Sequence, residues 1–293
     1  MPPTETWTVK RLLEWTTDFL KKKGMDSPRL EAEILLASAM NIKRIELYTN
    51  FDTEPSEPQR TTFREFVKRR GMWEPVAYLV GFKEFYSIPF KVDPNVLIPR
   101  PETEQLVLET LDILKTFAET SHPSICDVGT GSGAIAIALA KNLPKLLKLS
   151  AIVAVDRSAE ALRVAESNAV ANGVADRIKF CCSDLLEEVA ETFDVIVANL
   201  PYISQSEYDA LPKDIRNFEP QHALLAGQKG TEVIERLVTQ LPEKLQSDGY
   251  VLLECSPMIA QSVADFFADW KSVRIIKDNA GHQRLVLAQI NNA

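Results

Sequence analysis

Two periodicities divide the chain. Near the N-terminus, apolar positions recur every three or four residues: Val9, Leu12, Leu13, Thr16, Phe19 and Leu20 fall on one face of a helix that Thr8 caps and Gly24 ends. Ser27-Pro28 opens a second helix carrying Leu30, Ile34, Leu35 and Met40, because proline at the first helical position gives up no needed amide. A third runs from near Ser56 to Gly71 through Phe63, Phe66 and Val67. Residues 1–75 read as a small all-helical domain, with Lys68-Arg69-Arg70 as a solvated helix face. In residues 76–99, "VAYLVGFKEFYSIPFKVDPNVLIP", aromatic and β-branched residues alternate with polar ones, which predicts a β-hairpin linker.

From about residue 103, strand and helix patterns alternate. A helix near 103–119 precedes strand "SICDV", and a helix over Ala134–Asn142 follows. Strand "SAIVAVD" leads to a helix from Ser158 to Gly173, then to "RIKFCC" and "FDVIVAN". A helix near 231–246, strand "GYVLLEC", a helix near 257–270 and strands "SVRIIKD" and "RLVLAQI" complete the pattern. Alternation of this kind predicts a doubly wound, mostly parallel sheet covered on both faces. Ligands of such sheets bind at the carboxyl ends of the strands.

Composition narrows the class. The 293 residues are 45% hydrophobic and 25% charged, an ordinary soluble composition. No apolar run approaches the ~20 residues of a membrane span, and "MPPTETWTVK" has no apolar signal region. The expectation is a cytoplasmic protein. Net charge is −8. Residues 1–75 hold 13 Lys and Arg against 12 Asp and Glu, leaving 20 against 29 beyond them. A chain gripping many phosphates usually carries the opposite sign. Cys126, Cys181, Cys182 and Cys255 lack CxxC spacing and read as buried reduced thiols rather than zinc ligands or disulfides, so no metal is expected.

The chemistry sits where strands end. "DVGTGSGA" runs from Asp127 through Val128, Gly129, Thr130, Gly131 and Gly133 to Ala134. Its glycines permit a tight turn and let a ligand approach N–H groups at a helix N-terminus. The segment also satisfies the dinucleotide pattern G-x-G-x-x-G/A, so a nicotinamide enzyme stands as an alternative. Two details favour S-adenosyl-L-methionine: Asp127 is placed to receive an ammonium group, and the third glycine comes one residue early, suiting a ligand with no pyrophosphate. Asp156, after the second strand, can take two ribose hydroxyls. Asp184 can accept from an adenine amino group, with Leu185 against the ring; a helix-capping role is the alternative there.

The fourth strand ends in "NLPY". A planar nitrogen, whether an amide or the exocyclic amine of a base, has a delocalised lone pair and needs two acceptors to aim it at a methyl carbon. The Asn199 side-chain oxygen is one and the carbonyl of Leu200 is the other. Pro201 fixes the bend, and Tyr202 offers a flat wall. Catalysis is then mostly positioning.

These residues resemble a known family. "NLPY" looks like the (D/N/S)PP(Y/F) motif of amino-methyltransferases, and "DVGTGSG" looks like their cofactor loop. "LIPRPETE", Leu97–Glu104, resembles the signature of HemK-type enzymes, the N5-glutamine methyltransferases of peptide chain release factors. "EPVAYLVGFKEFYSIPFKV" and "NFEPQHALLAG" are similar to that family too. The resemblance covers nearly the whole chain. It implies a class I methyltransferase fold, expected over 100–293, mostly parallel with an antiparallel last strand; the helical domain at 1–75, near neutral and without a catalytic cluster, is expected to recognise the protein substrate, with a hairpin linker at 76–99. It implies methylation of the glutamine in a release factor's Gly-Gly-Gln loop. A monomer with no direct nucleic-acid or membrane partner is expected. Arg100, Pro101 and Glu102 match the signature and are expected to shape the methionine end of the site. Two departures stand out. Leu200 replaces the usual proline; only its carbonyl is needed, so its side chain is expected to matter through backbone shape alone. The usual glycine is missing after Glu254, where Cys255, Ser256 and Pro257 follow.

Four other readings stand beside this one. A ribosomal-protein glutamine methyltransferase should differ in the N-terminal domain. An adenine-N6 methyltransferase shares "NLPY" but not "PRPETE" or an acidic catalytic half. An NAD-dependent oxidoreductase needs a hydride-transfer constellation that "NLPY" does not supply. A non-catalytic binding module has no use for an intact cofactor loop.

Overall fold

Thr8 caps α1 (Val9–Lys22): its hydroxyl accepts from the Arg11 amide, and the face it orients buries Val9, Leu12, Leu13, Thr16 and Leu20. The computed structural model describes residues 6–117, 122–143, 151–278 and 280–291. The tail of the helix expected to reach 119 and Ser150 of "SAIVAVD" lie outside them. α2 (Pro28–Met40) opens on its proline and α3 (Glu46–Thr49) is a single turn. α4 (Glu57–Arg70) starts with a reciprocal Ser56–Gln59 capping box. Their core joins Leu13, Leu35, Leu36, Leu47 and Phe63. Leu30, expected on the buried face of α2, is 41% exposed.

Two expectations for this region need correction. Arg70 is not solvated: it is buried, and its guanidinium grips Glu31 through two hydrogen bonds of 2.8 and 2.9 Å. Arg69 pairs with Glu74. Residues 76–80 are helical, not part of the hairpin. α5 (Val76–Val80) follows Pro75 and ends at Gly81, whose φ of 79° fits the left-handed C-cap. A short apolar run cannot by itself distinguish strand from buried helix, and Tyr78 and Leu79 are buried.

The chain clusters into two units, Met1–Phe82 with Lys213–Phe218, and the remainder. The division falls at residue 82 rather than at 75 and 99. In the second unit, β1 (Phe82–Phe85) and β2 (Ile88–Lys91) form the hairpin. Tyr86 and Ser87, both at positive φ, make its two-residue turn. The Glu104 carboxylate accepts from the Tyr86 amide at 2.9 Å. Asn168 exchanges hydrogen bonds with the Lys91 backbone and donates to the Ser132 carbonyl at 2.9 Å, tying the hairpin to the glycine loop.

A short 3-10 turn, Pro101–Thr103, leads into α6 (Glu104–Leu114). Then come β3 (Ser124–Val128), α7 (Ala134–Asn142), β4 (Ala151–Asp156), α8 (Ala159–Ala171), β5 (Ile178–Cys182) and β6 (Phe193–Ala198). The short strands β7 (Ile203–Ser204) and β8 (Leu225–Gly227) pair with each other and flank α9 (Gln205–Asp209) and α10 (Lys213–Phe218). α10 is the segment that clusters with the first unit, where Asp214 lies 3.6 Å from Arg70 and Lys213 sits over the Trp73 ring. α11 (Glu232–Lys244), β9 (Leu245–Glu254), α12 (Ala260–Asp265), β10 (Ser272–Lys277) and β11 (Gln283–Gln289) follow.

Among the described residues the large sheet runs β10-β11-β9-β6-β3-β4-β5. β3, β4, β5, β6 and β9 are parallel, and β11 runs antiparallel between β9 and β10. The chain winds outward from β3 to β5, then returns to lay β6 on the other side of β3. The strand order reverses between β3 and β6, and their last residues pair, Val128 with Ala198. One apolar core lies on each face. All four cysteines are free, but only Cys126 and Cys255 are buried; Cys182 is exposed, which corrects the expectation for it. No helix among the described residues is long and apolar enough to cross a membrane.

Candidate active site

Because Val128 and Ala198 are paired, the glycine loop and "NLPY" leave the sheet side by side at the crevice where ligands of such sheets bind. One cavity there is lined by Val128, Gly129 and Gly131 from the loop and by Asn199, Leu200 and Pro201 from the motif. Asp156, Asp184 and Leu185 line it from the ends of β4 and β5.

Backbone contacts fix the loop. The amides of Gly129 and Thr130 both donate to the Val155 carbonyl, at 2.8 and 2.9 Å. Asp156 accepts from the Gly131 amide and the Ser158 amide, each at 2.9 Å, one per carboxylate oxygen. Each oxygen retains a second lone pair on the cavity wall. Gly129 has φ 76°, and a Cβ there would lie 3.0 Å from Leu200 Cδ2.

Asp127 and Gly133 do not line the cavity. Asp127 is fully buried behind the loop. Its Oδ2 accepts from Thr130 Oγ1 at 2.7 Å and from the Ala136 amide at 3.1 Å, while Oδ1 has no partner. Burial pushes this carboxyl up to about 7, against those hydrogen bonds. It anchors the turn to α7 and is not on the cavity wall. At Gly133 a Cβ would meet Ile137 Cδ1 at 2.9 Å, so this glycine serves packing against α7 and α8.

In the motif, the Asn199 side-chain amide donates to Thr103 Oγ1 at 3.0 Å. Leu200 is 4% exposed and packs against Gly129. Its side chain therefore has a packing role beside the loop in addition to its place in the backbone bend. Tyr202 packs on the core beside β6 and does not line the cavity; burial pushes its phenol well up. Arg100 and Glu102 do not line it either. The Arg100 guanidinium is ion-paired with buried Glu219, which also accepts from the Ile98 amide at 3.2 Å. Asp184 reaches the cavity but is held by Arg236 at 2.8 Å. Leu185 is buried at φ 55°.

Four residues to which the sequence assigned no role complete the arrangement; Thr103 and Glu219 lie inside the quoted segments "LIPRPETE" and "NFEPQHALLAG". Thr103 receives the Asn199 amide. Glu219 ties "NFEP" to the "PRPE" turn. Glu254 is 2% exposed at the end of β9; burial pushes it up to about 7, opposed by the neighbouring Thr103 and Asn199 side chains and by the charge of Arg284. Gly230, at φ 88°, lies so close to the motif that a Cβ would sit 2.7 Å from the Tyr202 carbonyl oxygen. Gly230→Ala should therefore displace the motif backbone. Strained φ and a backbone clash together are expected to cost about 1–3 kcal/mol of stability. An unchanged melting temperature and kcat would show that this approach is not needed.

Comparison with known proteins gives consistent results. The PrmC N-terminal domain family matches residues 11–81, and the methyltransferase small domain family matches residues 105–216. The chain is 52% identical over 289 residues to a release factor glutamine methyltransferase of Rhodopirellula baltica, covering 97% of this chain and 96% of the relative. It is 36% identical over 284 residues to the one from Koribacter versatilis, covering 96% and 98%. Among solved structures, the Thermus thermophilus 16S rRNA N2 G1207 methyltransferase superposes with a TM-score of 0.51 at 17% identity, over 72% of this chain and 50% of that one, which shows a shared fold.

Proposed function

The chain belongs to the release factor glutamine methyltransferase family, and we propose that it transfers a methyl group from S-adenosyl-L-methionine to the side-chain amide nitrogen of the glutamine in a release factor's Gly-Gly-Gln loop. The observation that carries this reading is one cavity walled by both the glycine loop and "NLP", with Asp156 beside them. The residues suit the cofactor. Gly129 leaves no side chain between the wall and a ligand, Asp156 offers two free lone pairs to vicinal hydroxyls, and Leu185 gives an apolar wall to a ring.

When bound, the cofactor supplies an electrophilic methyl carbon on a sulfonium. The protein holds the amide. Asn199 Oδ1 accepts one N–H of the substrate NH2 and the carbonyl of Leu200 accepts the other. Pro201 fixes the bend that presents that carbonyl. With both hydrogens held, the nitrogen is aimed and its freedom to turn away is removed before the reaction. No strong base is needed in advance, because the nitrogen becomes acidic only as the new bond forms.

We further propose that residues 1–75 recognise the protein substrate and take no part in the chemistry, and that residues 76–99 link them to the catalytic part. We place the protein in the cytoplasm as a monomer, acting on release factors with no direct nucleic-acid contact.

Labelled S-adenosylmethionine with purified release factor tests the function. Label is expected in the intact factor, strongly reduced label in a variant whose loop glutamine is alanine, and a much lower kcat/KM on a free loop peptide. Label in neither protein overturns the reading. Equal label in both moves the target elsewhere, and equal efficiency on the peptide removes the recognition role.

A further inference from the structure

We propose that Glu254 and Thr103 set which way the Asn199 amide points, and that ionised Glu254 keeps its oxygen turned to the substrate. The inference rests on the reading of Asn199 as a substrate acceptor and names what makes it one. An asparagine amide has a donor end and an acceptor end of nearly equal size, so shape alone does not choose between them. Here the choice is made by Thr103, whose Oγ1 accepts from Asn199 Nδ2 at 3.0 Å. That leaves Oδ1 on the other side.

Thr103 has one hydroxyl hydrogen. It remains an acceptor toward Asn199 only while that hydrogen is committed elsewhere. The Glu254 carboxyl is the group that can take it: β9 runs beside β6 with Leu253 opposite Ala198, which sets buried Glu254 next to Asn199, and its Oε2 has no hydrogen-bond partner among the described residues. A carboxylate only accepts, so it draws the Thr103 hydrogen and leaves the hydroxyl oxygen to the Asn199 NH2. A protonated carboxyl can instead donate to Thr103. The Thr103 hydrogen then turns to Asn199 and competes for Oδ1, the atom the substrate needs.

The surroundings place that choice in a useful range. Burial raises the Glu254 carboxyl to about 7, Arg284 on β11 favours its charged form, and Glu102 before α6 opposes it. Tyr202 and Cys255 are the other titratable groups that feel its charge, and burial holds both in their neutral forms. The turn Pro101–Thr103 gains a physical purpose: it brings Thr103 to Asn199 across 96 positions of sequence. Glu254 and Thr103 are positioning residues, since each acts through Asn199.

The test is steady-state kinetics of the full chain on intact release factor, across pH, for Thr103→Val, Thr103→Ser and Glu254→Gln. Valine has threonine's shape without the hydroxyl, and is expected to lower kcat about tenfold, the size of one hydrogen bond, while KM for S-adenosylmethionine stays within about twofold. Serine keeps the hydroxyl and should restore most of the rate. Wild-type kcat should rise as pH passes about 7, and Glu254→Gln should be slow and lack that rise. If valine equals serine, or Glu254→Gln keeps the wild-type rate and pH profile, the orientation inference is wrong while the proposed function stands. If Glu254→Gln does not fold, the Thr103 pair decides alone. Wild-type protein that labels no glutamine overturns both.

Discussion

Asn199→Ala is expected to lower kcat by about 10²–10³, comparable to removing one preorganised donor from an oxyanion site. The acceptor is lost outright, because alanine carries no oxygen in its place. The carbonyl of Leu200 remains, so one substrate N–H is still held and the nitrogen is free to swing. The cofactor wall formed by Gly129, Gly131 and Asp156 is untouched, so cofactor affinity should change little. Asn199→Asp separates geometry from charge. It keeps an acceptor oxygen but loses the NH2 that donates to Thr103, and it sets a second carboxyl near Glu254. Two such groups resist joint ionisation, and one takes up a proton. Activity between wild type and alanine is expected, with stronger dependence on pH. Wild-type kcat in Asn199→Ala would end the amide-clamp account and return "NLPY" to a strand-ending turn.

Asp156→Ala should weaken S-adenosylmethionine binding by about 1–3 kcal/mol, the usual cost of leaving buried polar partners unpaired. Two losses combine. The ligand hydroxyls lose their acceptors, and the amides of Gly131 and Ser158 lose theirs, so the loop is held less firmly before ligand arrives. Calorimetry with S-adenosylmethionine and with NAD reads the effect and the cofactor class together. Wild-type affinity in the variant removes Asp156 from the site, and tighter binding of NAD would overturn the choice of cofactor.

What the sequence made legible was chiefly what is local. The glycine loop and "NLPY" each occupy consecutive residues at strand ends, and the strand–helix alternation that fixes those ends is itself a short-range pattern. The partners of those residues are remote. Thr103 belongs to a turn that reads as a helix start, and Glu254 closes an apolar strand like any terminal carboxylate. Their meaning arises only when β9 lies beside β6 and the turn reaches Asn199. Asp127 illustrates the opposite case. Its position two residues before a glycine is legible, but strand alternation turns its side chain behind the loop, toward Thr130 and α7. Residues 76–80 are ambiguous in the sequence, because a five-residue run such as "VAYLV" fits strand or helix until its packing partners are known.

The order of strands at one end of the sheet bears on synthesis. Among the described residues β10 pairs only with β11, while β11 also pairs with β9. A chain emerging from the ribosome presents β10 before any strand exists to receive it, and leaves the edge of β9 around Val251–Leu253 open until β11 arrives. Long-range pairings of this kind are slow, and unpaired edges are where nascent chains associate wrongly. The last step of sheet formation must therefore wait for residues 283–289 to emerge, so the parallel strands and the glycine loop can form on the nascent chain before β11 seals the sheet.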